Sequence, residues 1–171
     1  MKSNIVLIGM PGVGKSSVGV VLAKALGYGF VDSDLVIQSV EKRLLKEIIE
    51  DEGYEGFISV ENRINSSISV ERSVIATGGS AVYGAEAMKH LASAGTVVYL
   101  RASFETVNAR LTNLEGRGVA MRGKQTLLDL YNERIPLYEK YGELTVDMDG
   151  IIIEEAVRRI KDRLSVFHGK I

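Results

Sequence analysis

The stretch that decides the fold is Gly9-Met10-Pro11-Gly12-Val13-Gly14-Lys15-Ser16, near the start of the chain. It matches the complete pattern G-x-x-x-x-G-K-[ST] of loops that bind nucleotide phosphates. Its glycines let successive backbone N–H groups converge on phosphate oxygens, because no Cβ stands in the way. A helix that follows such a loop points its positive end at the same anion. The stretch therefore predicts a nucleoside triphosphate site.

The residues on either side of this P-loop support the interpretation. Residues 4–8 are continuously apolar after Asn4, as expected for a strand that is buried on both faces. Residues 15–26 place apolar side chains at helical spacing, and Gly27 is the expected end of that helix. A buried strand, a glycine-rich loop and an amphipathic helix in this order form the context in which the pattern binds phosphate.

The P-loop also predicts which side chains contact the nucleotide. We expect Lys15 to reach the β- and γ-phosphates and Ser16 to give a hydroxyl ligand to Mg²⁺. ATP and Mg²⁺ are therefore the expected cofactors. The ATP-binding residues predicted for this segment are Gly12, Val13, Gly14, Lys15, Ser16 and Ser17.

Strands and helices alternate along the rest of the chain. Further strand-like runs occur around Phe30 and at 74–76, 96–100 and 144–146. Helical patterns occur at about 34–50, 57–69, 84–93, 104–112, 125–140 and 152–165. Such alternation predicts an α/β sheet with right-handed crossovers. At 171 residues, the whole chain, 1–171, fits a single domain.

Composition narrows the classes of partner. The net charge of −1 provides no field for nucleic acid or an anionic membrane. The absence of cysteine excludes disulfides, thiolate catalysis and cysteine-ligated metal. The apolar run at the N-terminus is short and leads directly into the P-loop, so we interpret it as a strand and not as a signal peptide. We expect a cytoplasmic monomer that binds small molecules.

Two carboxylates follow the second predicted strand, at Asp32 and Asp34. Ligands of open α/β sheets bind in the crevice beyond the strand ends, where these residues are expected to lie. One carboxylate is suited to hold Mg²⁺ through water, and the other to accept a hydrogen bond from a substrate hydroxyl. The alternative is that Asp34 only caps the helix that begins near residue 35. No Asn-Lys-x-Asp segment of the kind that selects guanine in GTPases is present.

Residues 113–124 lack apolar periodicity and contain three glycines and three cations. A surface linker is one interpretation of such a segment. In an enzyme that handles phosphate, a mobile lid is the other, because a lid has to be flexible and cationic. We predict a lid over 113–124.

At this point the sequence resembles the shikimate kinase family, over essentially the whole chain. The resemblance is carried by Gly9–Ser17 with Asp32-x-Asp34, by Thr77–Val82, by Val97–Leu100 and by Glu133–Tyr138. It implies a five-stranded parallel sheet of order 2-3-1-4-5, flanked by helices and covered by a lid. It also implies ATP-dependent phosphorylation of a hydroxyl group on a small metabolite, with shikimate converted to shikimate 3-phosphate.

The resemblance further implies roles for individual residues. Asp32 would organise Mg²⁺ and its waters, Arg110 would lie near the adenine, and Arg117 in the lid would contact the transferred phosphate. Arg134 would pair with the substrate carboxylate, and Asp34 would bind substrate hydroxyls. The acceptor-binding segment would be about 34–69. The catalytic set would be Lys15, Asp34 and Arg117, and the acceptor-binding set would be Asp34, Glu61, Gly78, Gly79 and Arg134.

The sequence departs from the family mainly in the acceptor half. The family segment Gly-Glu-x-x-Phe-Arg-x-x-Glu spans 53–61 here, and its arginine is replaced by Ile58. The third glycine of a Gly-Gly-Gly motif is Ser80, and the lid's Arg-Pro-Leu-Leu is Arg-Gly-Val-Ala at 117–120. Arg122 is a second candidate for the lid arginine. Arg63 is expected to point away from the face of position 58, because five residues on a helix turn about 140°.

These departures keep three functional hypotheses open. The first is a kinase that phosphorylates shikimate. The second is a kinase of a related small alcohol that lacks the carboxylate usually held by the missing arginine. The third is a nucleotide-binding protein without catalytic activity, although the retained Asp34, Gly79 and Arg134 argue against a decayed acceptor site.

Overall fold

The structure is a computed structural model that describes residues 2–112 and 119–167. Its strands are β1 (Asn4–Ile8), β2 (Gly29–Asp32), β3 (Ser73–Ala76), β4 (Gly95–Arg101) and β5 (Leu144–Asp147). Its helices are α1 (Lys15–Leu26), α2 (Ser33–Glu41), α3 (Leu45–Asn65), α4 (Ala85–Ala94), α5 (Phe104–Thr112), α6 (Leu127–Tyr141) and α7 (Ile153–Phe167). A short 3₁₀ turn spans Ala81–Tyr83.

All five strands run parallel in one sheet, in the order β2-β3-β1-β4-β5. The predicted fold class and strand order are confirmed. β1 lies at the centre and pairs with β3 at Ile5–Val74 and with β4 at Val6–Val97. Every residue of β1 is buried. A strand enclosed in this way has no polar face, which explains its continuously apolar sequence.

Three adjacent strands bring the predicted site together at their carboxyl ends. The P-loop follows β1, Ser33 and Asp34 follow β2, and residues 77–80 follow β3. Since β3 lies between β2 and β1, residues 77–80 separate the two carboxylates at 32 and 34 from part of the P-loop. This edge is where open α/β sheets bind their ligands.

The predicted boundaries of the second and third helices were wrong. The predicted helix 34–50 is two helices, because Lys42 adopts a left-handed conformation with φ of 56° and ends α2. The predicted helix 57–69 begins much earlier, at Leu45, and ends at Asn65. α3 is interrupted only at Gly53, whose φ of 70° and ψ of −178° are not helical and produce a kink.

Residues of α2 and α3 form a small second core together with Ala120. Its buried residues are Ile37, Ile48, Phe57, Val60, Ile64 and Ala120. This core holds the predicted acceptor-binding segment, about 34–69, beside the sheet. Of the predicted lid, 113–124, the structure describes only residues 119–124. Residues 113–118, including Arg117, lie outside the described residues. Within residues 2–112 and 119–167, no helix is long and apolar enough to cross a membrane.

Candidate active site

A cavity of about 970 Å³ lies at the carboxyl ends of β1, β2 and β3. The predicted site residues that line it are Gly12, Gly14, Lys15, Ser16, Ser17, Asp32, Asp34, Glu61, Gly78, Gly79, Arg110 and Arg134. The side chain of Val13 is instead fully buried in the core. Arg117 lies outside the described residues.

The P-loop adopts a backbone conformation that depends on its glycines. Gly14, the residue before α1, has φ of 105°, and Gly9 has φ of 146°. A Cβ on Gly9 would lie 2.6 Å from the carbonyl oxygen of Leu100. Side chains at these positions would therefore be strained or would clash. The resulting turn leaves the N-terminal N–H groups of α1 facing the cavity, where an anion is favoured.

Lys15 is buried at the base of the cavity and is 7% exposed. Its ammonium group donates hydrogen bonds to the carbonyl oxygens of Gly9 at 2.7 Å and Met10 at 2.8 Å. Burial lowers the pKa of Lys15 to about 8, and the nearby Asp34 partly opposes that shift. The amine is thus held by the loop itself, in a position where a phosphate would restore favourable charge around it.

Asp32 connects the P-loop helix to the end of β2. Its Oδ2 accepts a 2.8 Å hydrogen bond from the Ser16 hydroxyl, and its Oδ1 accepts one of 3.0 Å from the Asp34 backbone N–H. Asp32, and not Asp34, is therefore the N-cap of α2, so the alternative role for Asp34 was wrong. A hydroxyl and a carboxylate side by side fit Mg²⁺, which takes few protein ligands and keeps several waters.

The carboxyl groups of Asp34 and Glu61 approach the same point above Gly78. A Cβ on Gly78 would lie 2.6 Å from Glu61 Oε1 and 2.9 Å from Asp34 Oδ1. Glu61 is 2% exposed, and its Oε2 accepts a 2.6 Å hydrogen bond from the Ser80 hydroxyl. Glycine at position 78 thus leaves room for two acidic side chains on the cavity wall.

Arg134 forms the opposite side of the acceptor half. It is 1% exposed, and one Nη lies 3.0 Å from the point where a Cβ on Gly79 would stand. Its other Nη donates a 2.9 Å hydrogen bond to the carbonyl of Ala120. A guanidinium group is always charged, so this buried position presents a fixed cation to the cavity.

Two tyrosines outside the predicted set of site residues also shape the site. The Tyr138 hydroxyl donates a 2.6 Å hydrogen bond to the Gly79 carbonyl, while its ring stacks on Tyr99 at 5.3 Å. The Tyr83 ring lies beneath Arg134, whose guanidinium carbon is 5.4 Å from the ring centroid. Tyr138 ends the segment Glu133–Tyr138 that carries the family resemblance, whereas no sequence pattern points to Tyr83.

Arg110 packs behind the P-loop. Its Nη1 donates to the Val13 carbonyl at 2.8 Å and lies 3.5 Å from that of Gly12. These contacts hold α5 against the P-loop. They also bring a cation to the P-loop end of the cavity, while the place of Arg110 near the adenine stays a prediction.

The wall near α3 contains a cation that sequence reasoning missed. Lys46, in the first turn of α3, lines the main cavity together with Leu44 and Leu45. Ile58 instead lines a smaller neighbouring groove of about 400 Å³, beside Tyr83. Position 58 therefore provides no cation to the described acceptor site.

Arg63, considered as a substitute for the missing arginine, and Arg122, considered as a lid arginine, have different surroundings. Arg63 donates a 2.6 Å hydrogen bond to Glu41 at the end of α2, away from the cavity. Arg122 lies over the Tyr54 ring at 4.8 Å and pairs with Glu55 at 3.4 Å and Glu133 at 3.5 Å. Neither arginine lines the main cavity.

Comparison with known proteins agrees with this geometry. The family model described as shikimate kinase matches residues 11–165. The shikimate kinase of Thermodesulfovibrio yellowstonii is 38% identical, over 98% of both chains. Shikimate kinase 2 of Yersinia pseudotuberculosis is 32% identical, over 94% of this chain and 97% of that protein.

Solved structures show the same fold. Shikimate kinase from Acinetobacter baumannii in complex with shikimate matches with a TM-score of 0.90 and 31% identity, over 99% of this chain and 97% of that chain. Shikimate kinase from Aquifex aeolicus matches with a TM-score of 0.80 and 29% identity, over 96% of this chain and 98% of that chain. The chain therefore belongs to the shikimate kinase family, and it is a phosphotransferase.

Proposed function

We propose that this enzyme transfers the γ-phosphoryl group of MgATP to a hydroxyl group of shikimate, giving shikimate 3-phosphate. The observation that carries the proposal is that Lys15, Asp34 and Arg134 line one cavity. These residues supply, in order, a cation for phosphate, an acceptor for a hydroxyl proton and a cation for a carboxylate. Phosphoryl transfer depends mainly on positioning and charge neutralisation, which such a set provides.

The nucleotide half would bind ATP through the backbone of Gly12, Val13 and Gly14 and the side chains of Lys15, Ser16 and Ser17. On binding, the Lys15 ammonium group would exchange the carbonyls of Gly9 and Met10 for phosphate oxygens. Contact with an anion would also raise the depressed pKa of Lys15 and keep it charged.

Ser16 and Asp32 would hold Mg²⁺, the Ser16 hydroxyl directly and Asp32 through water. When bound there, Mg²⁺ would supply positive charge against the negative charge of the phosphates. The Ser16 oxygen would ligate the ion through a lone pair, so its hydrogen could stay bonded to Asp32 Oδ2. Asp32 would keep its bond to the Asp34 N–H, and so maintain the start of α2.

The acceptor half would hold shikimate between two sets of groups. Asp34 and Glu61 would take its hydroxyl groups, Gly78 and Gly79 would allow close approach of the backbone, and Arg134 would pair with its carboxylate. Asp34 would orient the reacting hydroxyl towards the phosphate. Closure of residues 113–124 with Arg117 or Arg122 would exclude water, because an open site would hydrolyse ATP.

A panel of acceptors tests the proposal. ADP release is measured with shikimate, related cyclic acids and uncharged polyols at saturating MgATP. The expected result is that shikimate has the highest kcat/KM and that removing its carboxylate lowers this value. No ADP release above the acceptor-free rate with any compound would contradict the proposal and favour the non-catalytic alternative.

One observation favours a second candidate acceptor. Because Ile58 replaces the family's arginine, the buried cation facing the described acceptor half is Arg134, with Lys46 on the exposed rim. A charged hydrogen bond contributes about 1.5–3 kcal/mol, so the loss of one favours an alcohol without a carboxylate. A higher kcat/KM for a polyol than for shikimate would identify that function.

A further inference from the structure

Two departures from the family pattern meet at Glu61. Ile58 stands one helical turn before Glu61 on α3, so the cation expected there is replaced by an apolar side chain. Ser80, in place of a glycine, donates its hydroxyl hydrogen to Glu61 Oε2 at 2.6 Å. Compared with the family pattern, the Glu61 carboxyl group lacks the arginine one turn away on α3. It has instead a hydrogen bond from the neutral Ser80 hydroxyl.

The other oxygen of Glu61 has no partner. Oε1 is buried, lies on the cavity wall and forms no hydrogen bond with any part of the chain that the structure describes. A buried polar atom without a partner costs about 1–3 kcal/mol, and a buried charge more. Such an atom is explained if a ligand completes its hydrogen bonding.

The charged groups that face Glu61 from neighbouring elements do not pair with it. They are Asp34 on α2, Lys15 on α1 and Arg134 on α6. The Lys15 ammonium group donates to carbonyls of the P-loop, and Arg134 donates to Ala120 and Tyr83. Burial raises the pKa of Glu61 to about 7, the Ser80 hydrogen bond opposes this rise, and Asp34 adds to it.

We propose that Glu61 binds the acceptor as a neutral carboxylic acid, with its proton on Oε1 donated to a hydroxyl oxygen of the acceptor. This inference rests on the proposed function and specifies the charge state of its acceptor site. Oε2 remains the carbonyl oxygen that accepts from Ser80. The same acceptor hydroxyl, or its neighbour, donates its hydrogen to Asp34, so the two acidic groups act as a donor and an acceptor.

A neutral Glu61 favours the binding of an acceptor that is an anion. An anionic acceptor is repelled by each additional negative charge in the cavity, and Asp34 already provides one. A neutral Glu61 removes the second charge and supplies a donor where an ionised carboxylate can only accept. Acceptor binding is therefore expected to weaken as pH rises through about 7, where Glu61 ionises.

The direct test is carbon NMR of the Glu61 carboxyl in the full-length protein without ligands. The wild-type signal is expected to titrate with a midpoint near 7, and its absence in Glu61→Gln assigns it. The Ile58→Arg variant is expected to lower that midpoint, because it restores a cation one turn away. A wild-type midpoint near 4.5, the ordinary value for glutamate, would overturn the inference.

The kinetic test follows the shikimate KM from pH 6 to 8.5 at saturating MgATP. The wild-type KM is expected to rise about tenfold, whereas that of Glu61→Gln, which keeps a neutral donor, is expected to lose this dependence. Glu61→Ala is expected to raise KM even at pH 6. A Glu61→Gln variant that keeps the wild-type pH dependence would overturn the inference. If no variant and no wild-type protein phosphorylates shikimate, the proposed function fails, and the NMR titration still decides the protonation of Glu61.

Discussion

The Ser16 hydroxyl donates a 2.8 Å hydrogen bond to Oδ2 of Asp32 and so joins the first turn of α1 to the end of β2. The two residues are sixteen positions apart in the chain, and they meet at the edge of the sheet where β1 and β2 end, with β3 between these strands. A hydroxyl and a carboxylate in contact are the protein groups that the proposed Mg²⁺ site uses. The bond therefore brings together the two side chains of the proposed Mg²⁺ site.

Asp32→Asn is expected to raise the Mg²⁺ concentration for half-maximal activity by about tenfold. The amide keeps an oxygen that can cap α2 but loses the negative charge that attracts the ion. Activity is measured against Mg²⁺ concentration at fixed ATP. A thermal melt checks that α2 and its contacts survive. An unchanged Mg²⁺ requirement would remove Asp32 from the proposed metal site.

Asp34→Asn is expected to damage acceptor use far more than ATP binding. Asp34 faces the cavity beside Gly78, whereas Asp32 contacts the P-loop helix. Calorimetry should show little change in ATP affinity, while kcat/KM for the acceptor falls by at least about 10². The reverse pattern would make Asp34 the metal carboxylate and exchange the two roles.

Lys46→Gln is expected to raise the KM for shikimate about fivefold and to leave that for ATP unchanged. Lys46 lines the cavity at the N-terminal turn of α3, where the helix dipole disfavours a cation. An exposed charge contact is worth up to about 1 kcal/mol. Lys89→Gln, at an exposed position on α4, is the matched control. Equal KM values for both variants would show that Lys46 does not contact the acceptor.

Glu61 is expected to make the ligand-free enzyme less stable as pH rises. Its pKa is about 7 in the folded protein and 4.5 as the ordinary value, so the folded state binds more protons between these values. The contribution of Glu61 to the free energy of unfolding is therefore fully present below pH 4.5. It falls by roughly 3 kcal/mol as the pH rises through 7. Urea unfolding of wild type and Glu61→Gln isolates the effect as their difference. A difference that does not change with pH would contradict the prediction.

Local patterns in the sequence predicted the α/β class and the P-loop, whereas the strand order came from the family resemblance. The apolar run of β1 and the glycines of the P-loop act within a few residues of one another, so they are visible in the sequence. The boundary between α2 and α3 was not visible, because the left-handed conformation of Lys42 is unusual for a residue with a side chain. Gly53 lies between the predicted helices 34–50 and 57–69, and it kinks one continuous helix there.

The acceptor half could be predicted only in part. Asp34 and Arg134 followed from the family resemblance, and both line the cavity. The hydrogen bond from Ser80 to Glu61, and that from Tyr138 to the Gly79 carbonyl, join residues far apart in the chain. Such contacts depend on the packing of α3 and α6 against the end of β3, which no local pattern reports. The role of Arg117 stays a prediction, as do the lid and the monomeric state.

The most direct test of the central claim is ³¹P NMR of the reaction with shikimate and MgATP, comparing wild type with Lys15→Ala. Wild type is expected to give a new phosphomonoester signal together with ADP. Lys15→Ala should be slower by at least about 10², because it loses the cation that stabilises the transferring phosphate. Lys24→Ala, at an exposed position on the same helix, is the control and should match wild type. ADP without a shikimate phosphoester in the wild-type reaction, or a Lys15→Ala rate above about a tenth of wild type, would contradict the account.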